Sequence, residues 1–240
     1  MSKKIALVFG GTRGIGAACV HKLAEDGFDV AYTYVSSAPN IPASIGQATT
    51  RGYLVDIRDA AQVAKVFADV AQDFGGMPTC AVANAGINVP PGPLAQFDPE
   101  SFRKLVEVNI VGAFNVLSAA AKWVVDGGTI IGLTTSMVRV GVPGGGPYTA
   151  SKAAVESLLR SMAKELAARR IRVNGVAPGP VDTDLFRAGK NEEALARSAA
   201  LSPFNRVGQP AEVAEVVAFL ASDKASWVHG QIVQPNGGMV

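Results

Sequence analysis

Apolar residues come in short blocks separated by longer amphipathic stretches, and this alternation runs almost to the last residue. Ile5 to Phe9 is a continuous apolar run near the amino terminus. A run with no polar face predicts a strand buried on both sides. Comparable blocks at Val30 to Val35, Gly52 to Val55, Cys80 to Ala83, Thr129 to Leu133, Ile171 to Val176 and Gln231 to Gln234 predict further strands. Between most of them, apolar residues recur three and four positions apart, which stacks them on one helical face. That spacing predicts a helix running to about Asp26, where Gly27 supplies the stop, and others over about Ala60 to Asp73, Pro99 to Val124, Tyr148 to Ala168 and Ala211 to Ser222. Ser36 to Thr50 is the exception, because Pro39 and Pro42 oppose a regular helix. Strands alternating with helices imply right-handed βαβ units. The expected fold is therefore α/β: a single-domain, Rossmann-type, doubly wound parallel sheet of about seven strands with helices on both faces. No linker, repeat or low-complexity tract divides residues 1–240.

Composition narrows the function classes. Hydrophobic residues make up 48% of the chain and charged residues 18%, enough apolar material for a large core. A net charge of +2 argues against a dedicated binder of nucleic acid or membrane surfaces. No apolar stretch approaches the roughly 20 residues that span a bilayer, and Met1 to Lys4 leads straight into the first strand, so neither a span nor a signal peptide is expected. Cys19 and Cys80 lie in apolar runs and read as reduced core thiols. A soluble, cytoplasmic protein is the expectation. His21 and His229 have no partners at metal-ligand spacing, so no metal is expected. Trp123 and Trp227 read as packing anchors.

The first strand runs into Gly10-Gly11-Thr12-Arg13-Gly14-Ile15-Gly16 and then a helix. Glycine permits the tight turn and lets backbone approach a pyrophosphate, and the helix N-terminus offers free N–H groups. An NAD site needs a carboxylate at the end of the second strand for the ribose 2′-hydroxyl. Here that stretch is Tyr32-Thr33-Tyr34-Val35-Ser36-Ser37, with no acid to repel a 2′-phosphate. NADP(H) is expected rather than NAD(H), with Arg13 and Ser36 near the phosphate. Farther along, Tyr148 and Lys152 are four apart in a helical stretch, hence on one face a turn apart. An ammonium beside a phenol favours the phenolate and lowers its pKa, giving a proton donor and acceptor. Thr134-Thr135-Ser136 comes just after the fifth strand, at the sheet edge where ligands of open α/β sheets bind. A hydroxyl there could stabilise negative charge developing on a carbonyl oxygen. Asn109 falls at core-facing spacing, where a buried amide must find partners.

Glycine loop, Tyr-x-x-x-Lys and the hydroxyl cluster occur in the order typical of the short-chain dehydrogenase/reductase family, which the chain resembles over its whole length. The glycine spacing is Gly-x-x-x-Gly-x-Gly, with Phe9 where the family usually has Thr, so one hydrogen bond of the turn is expected to be lost. The resemblance implies adenine contacts from Asp56 and Ile57. It implies a further cofactor wall at Asn84, Ala85 and Gly86, where Ala83 replaces the first Asn of the family's Asn-Asn-Ala-Gly and weakens a structural clamp. It makes Arg13 the basic residue common in NADPH users. It implies that Pro178 and Gly179 pack on the nicotinamide, with Val181 and Thr183 on its carboxamide, and that Tyr148 and Lys152 also touch the cofactor. Asn109 would orient a relay water for Lys152, which also anchors the nicotinamide ribose. The family's Ser lies about 13 positions before the Tyr, which falls on Thr135; a Ser-x-x-Gly pattern would instead call for a Ser opening the following loop, and Ser136, the only Ser there, is favoured as the catalytic hydroxyl.

Membership of that family would imply NADP(H)-dependent interconversion of a ketone, in one version a 3-oxoacyl thioester, and a secondary alcohol. The substrate would be a small carbonyl or alcohol compound. A lid is expected at about 184–207 and a homotetramer by analogy. The resemblance is greatest to 3-oxoacyl-(acyl-carrier-protein) reductases. An acyl carrier protein is in doubt as a partner: Arg169 matches one basic position, but Asp126 stands where a second is expected. The alternative reading is a non-catalytic NADP(H)-sensing regulator, which would be expected to lose Tyr or Lys of the pair.

Overall fold

The computed structural model describes residues 4–36 and 40–240. Its elements are β1 (Ile5–Phe9), α1 (Gly14–Glu25), β2 (Asp29–Tyr34), β3 (Ser44–Ile45), β4 (Ala48–Leu54), α2 (Ala60–Phe74), β5 (Cys80–Ala83), α3 (Pro99–Leu105), α4 (Ala113–Trp123), β6 (Thr129–Leu133), α5 (Gly146–Glu165), β7 (Arg172–Val176), α6 (Asp184–Arg187), α7 (Glu192–Ala199), α8 (Pro210–Ala221) and β8 (Ile232–Val233). The sheet order is β3-β4-β2-β1-β5-β6-β7-β8. All pairings are parallel except β3 with β4. The chain winds outward through β2 and β4, then returns to place β5 on the other side of β1. That reversal opens a crevice at the carboxyl ends of β1 and β5.

Strand residues alternate between two cores, which is why the strands read as unbroken apolar runs. Leu7, Phe9 and Ile130 pack with Phe67, Val116 and Leu159 from α2, α4 and α5. Val8 and Ile131 face the other way, against Leu23 of α1 and Val217 of α8. Helix ends obey local chemistry. The Asp59 side chain caps α2 by accepting from the amides of Ala61 and Gln62, and Gly75 ends it in the left-handed region.

Several expectations need correction. The sheet has eight strands: Ser44–Ile45 folds back on β4 through a two-residue Gly46-Gln47 turn, and Gly46 has φ +57°. A short hairpin replaces the missing crossover helix, and β4 begins at Ala48. Pro39 and Ser37 lie outside the described residues. Pro99–Trp123 is a continuous 25-residue helical unit, long and apolar enough by length and composition to cross a membrane. Here its buried residues, among them Leu105, Val116, Leu117 and Ala120, pack against the sheet and its neighbours. Trp227 is no packing anchor, being 98% exposed, and Trp123 is 43% exposed. Cys19 and Cys80 are buried free thiols, each pushed by burial to a pKa of about 12. His229 is structural: Nδ1 accepts from the Val173 amide at 3.1 Å, so Nε2 is the nitrogen that donates to the Ala163 carbonyl at 2.7 Å.

Candidate active site

The glycine turn is built from backbone proximity. Gly10 has φ +78°, and its amide donates to Thr33 Oγ1 at 3.1 Å. Thr33 therefore supplies a bond in place of the one expected to be missing at Phe9. Asn84 Nδ2 donates to the Gly10 carbonyl at 2.8 Å, so the clamp survives the change at Ala83. Arg13 caps α1 with no side-chain hydrogen bond, leaving the helix's first N–H groups available to an anion. A Cβ on Gly16 would lie 1.9 Å from the Gly10 carbonyl oxygen and 2.6 Å from Asn84 Nδ2. Gly16→Ala should therefore displace the turn and weaken nucleotide binding by about 100-fold or more, read by fluorescence titration on protein whose circular dichroism is unchanged.

A cleft of about 740 Å³ opens beside this turn, within the usual range for ligand sites. It gathers Gly10, Thr12, Arg13, Gly14, Ile15, Gly16, Ser36, Asp56, Ile57, Asn84, Ala85, Gly86 and Thr183, all singled out from the sequence. Tyr34, Val35 and Ser36 form its wall at the end of β2, so no carboxylate stands at the place that would oppose a 2′-phosphate. Arg58, also in the cleft, was missed by sequence reading. It holds the Asp56 carboxylate at 2.5 and 3.0 Å and keeps that carboxyl below the usual range. Its acid–base spacing of two residues was the available signal. Glycines, an uncapped helix N-terminus and a β2 end without acid fit a dinucleotide phosphate, although Asp56, Glu100, Glu107 and Asp184 line other parts of the cleft. Pro178, Gly179 and Val181 do not line this cleft, and neither do Asn109, Ser136, Tyr148 and Lys152. The Pro178 carbonyl accepts from the Ser136 amide, Gly179 packs on Asn236, and Val181 bridges to Gly208.

Tyr148 and Lys152 share α5, and neither lines the cleft; Lys152 lies behind Gly86, which does. Its Nζ lies 3.1 Å from where a Cβ on Gly86 would stand, as does Asn109 Oδ1. Lys152 Nζ donates to the Leu133 carbonyl at 3.2 Å. Burial lowers Lys152 to a pKa of about 8 and raises Tyr148 to about 12, although the ring keeps some exposed surface. The expected lowering of the phenol by the ammonium is overturned: burial is the cause of both shifts. Asn109 sits in a π-helical turn, Val106–Gly112, that joins α3 to α4. It is fully buried. Its Oδ1 accepts from the Ile87 amide at 2.8 Å, and its Nδ2 donates to the Ile87 carbonyl at 2.9 Å and Ser151 Oγ at 3.1 Å. The amide thus secures the loop after β5 that carries Gly86.

The three hydroxyls after β6 separate by their partners. Thr134 Oγ1 bonds to Glu156 at 3.1 Å. Ser136 is fully buried, donates to the Ala177 carbonyl at 2.6 Å and accepts from Asn236 Nδ2 at 3.0 Å. With its only hydrogen so committed, Ser136 does not fit the role of catalytic hydroxyl expected for it. Thr135 Oγ1 accepts from the Met137 amide at 3.3 Å, and among the described residues nothing accepts its hydrogen. Arg169 is paired with Asp126 at 2.7 Å and bonded to the Val124 carbonyl, so it is not a free cation for an acidic partner.

Residues 10–240 match a family model described as enoyl-(acyl carrier protein) reductase. A short-chain type dehydrogenase/reductase of Picea abies is 41% identical over 251 residues, covering 99% of this chain and 92% of the relative. A 3-oxoacyl-(acyl-carrier-protein) reductase of Staphylococcus aureus is 35% identical, with 98% of each chain covered. Among solved structures, a short chain dehydrogenase from Burkholderia cenocepacia in complex with NADP superposes with a TM-score of 0.89 at 33% identity, covering 98% of this chain and 97% of that one.

Proposed function

The chain belongs to the short-chain dehydrogenase/reductase family, and on that premise we propose that it reduces a small free ketone to a secondary alcohol with NADPH. The observation that carries this reading is Lys152: a buried ammonium whose one acceptor among the described residues is a carbonyl, held behind Gly86 of the cleft wall. Its remaining hydrogens suit the hydroxyls of a nicotinamide ribose. A nicotinamide held there would supply the hydride. Tyr148, neutral at pH 7 with its pKa near 12, donates a proton to the ketone oxygen. Thr135 donates a hydrogen bond to that oxygen as charge develops on it. Asn109 holds the Ile87 backbone and with it the wall against which the substrate sits. Residues 184–207 serve as the lid, and two-fold axes build a homotetramer.

Arg13 and Ser36 are assigned to the 2′-phosphate of NADPH. Arg13→Ala should weaken NADPH about tenfold and leave NADH within about twofold, read by fluorescence titration of both cofactors. The pairing of Arg169 with Asp126 favours a free ketone over a substrate carried on an acidic protein. NADPH oxidation followed at 340 nm over a panel of small ketones and 3-oxoacyl thioesters tests the reaction. Turnover of free ketones is expected. Tight NADPH binding with no turnover of any member would favour the sensing regulator.

A further inference from the structure

Glu156 is a buried carboxylate for which the proposed reaction has no use. It is 1% exposed and lies on α5 one turn beyond Lys152. Three groups converge on it: Thr134 Oγ1 at 3.1 Å, the Arg139 guanidinium through two bonds of 2.7 and 2.8 Å, and Arg160 at 3.0 Å. A charge this deep is costly unless paired in good geometry, and the two-bond contact with Arg139 supplies that geometry.

Where those partners come from matters more than their number. Thr134 begins the segment after β6, and Arg139 ends its 3₁₀ turn, Ser136–Val138. Thr135 lies between them. Backbone bonds hold the same segment from the opposite side: the Thr134 amide donates to the Val176 carbonyl at 2.8 Å and the Ser136 amide to the Pro178 carbonyl at 2.9 Å. Residues 134–139 are thus fixed to β7 and the segment after it by their backbone, and to α5 by one carboxylate. Lys152 bonds to Leu133 from the adjacent turn of the same helix. The free hydroxyl of Thr135, Lys152 and Tyr148 are therefore referred to a single rigid element.

We infer that Glu156 is a positioning residue: through Thr134 and Arg139 it fixes the 134–139 segment on α5 and so keeps the Thr135 hydroxyl aimed at the substrate oxygen. This inference rests on the role proposed for Thr135. A displacement of about 1 Å in such a group can cost about 100-fold in rate.

The test is a double-mutant cycle between Glu156→Gln and Thr135→Ala, with NADPH affinity and thermal unfolding recorded for every variant. Glu156→Gln keeps the shape of the side chain and removes its charge. It should lower kcat about tenfold, with NADPH affinity within about twofold of wild type. In the Thr135→Ala background the same change should cost less than about threefold, because the group it positions has gone. An equal loss in both backgrounds would overturn the inference, as would an unchanged kcat in folded Glu156→Gln. Should Glu156→Gln fail to fold, Arg139→Met replaces it in the same cycle, since that side chain is 28% exposed and Glu156 keeps Arg160. Full activity in Thr135→Ala alone would also end the inference while leaving the reaction intact. Failure of the reaction itself would show separately, as a wild-type enzyme that oxidises NADPH with no ketone in the panel.

Discussion

Tyr148→Phe should lower kcat for ketone reduction by about 1,000-fold while NADPH affinity stays within about twofold. General acids contribute roughly 10²- to 10⁴-fold, and the upper part of that range applies where no other acid can substitute. With its pKa pushed up to about 12, the phenol carries its proton throughout the neutral range, the form required for reduction. The ring also packs, so a Phe in its place keeps the shape. Among the described residues the hydroxyl has no hydrogen-bond partner, so deleting it leaves no buried group unpaired and the melting temperature should be nearly unchanged. Stopped-flow NADPH oxidation together with cofactor titration checks both halves. A Tyr148→Phe enzyme with a wild-type rate would remove the phenol from the mechanism.

Lys152→Met should abolish turnover to a similar degree and yet stabilise the cofactor-free chain at pH 7. The folded-state pKa of Lys152 is lowered from 10.5 to about 8, so between those values the unfolded chain binds more protons than the folded one. Below pH 8 the ammonium is charged in both states, and its burial penalty applies in full. A shift of this size corresponds to roughly 3 kcal/mol. Methionine removes the charge and fills most of the volume but leaves the Leu133 carbonyl without its donor. The net gain should be about 1–2 kcal/mol in denaturant unfolding at pH 7. The gap should close as pH rises from about 8 to above 10, where the wild-type lysine sheds its proton and the native state recovers stability. A variant less stable than wild type at pH 7 would show that the lysine's hydrogen bond outweighs its desolvation.

The sheet was legible because its strands are buried on both faces. Ile5–Phe9 and Thr129–Leu133 have no polar side, and no other structure suits a run so short and so apolar. The glycine turn was legible because Gly10 and Gly16 each meet backbone where no side chain fits. The β3–β4 hairpin was not, because its turn is Gly46-Gln47 beside prolines and its first strand is only two residues long. The helix register around Asn109 was legible, but the π-turn Val106–Gly112 in which it sits was not, since apolar spacing does not report an extra residue within a helical turn. The family's 13-residue spacing already fell on Thr135, but the decision against Ser136 depended on partners distant in sequence. Ser136 is disqualified by Ala177 and Asn236, 41 and 100 positions away, and no local pattern reports on those. Spacing alone placed Tyr148 and Lys152 together. The direction of their pKa shifts needed the burial that only the fold supplies.

The most direct measurement is a crystal structure of the chain with NADP bound. Lys152 Nζ should lie about 3 Å from the nicotinamide ribose hydroxyls, with the Tyr148 hydroxyl and Thr135 Oγ1 converging on one open position beside the nicotinamide ring. A ring bound elsewhere in the cleft, or Lys152 still committed to Leu133 with no contact to the ribose, would contradict the assignment.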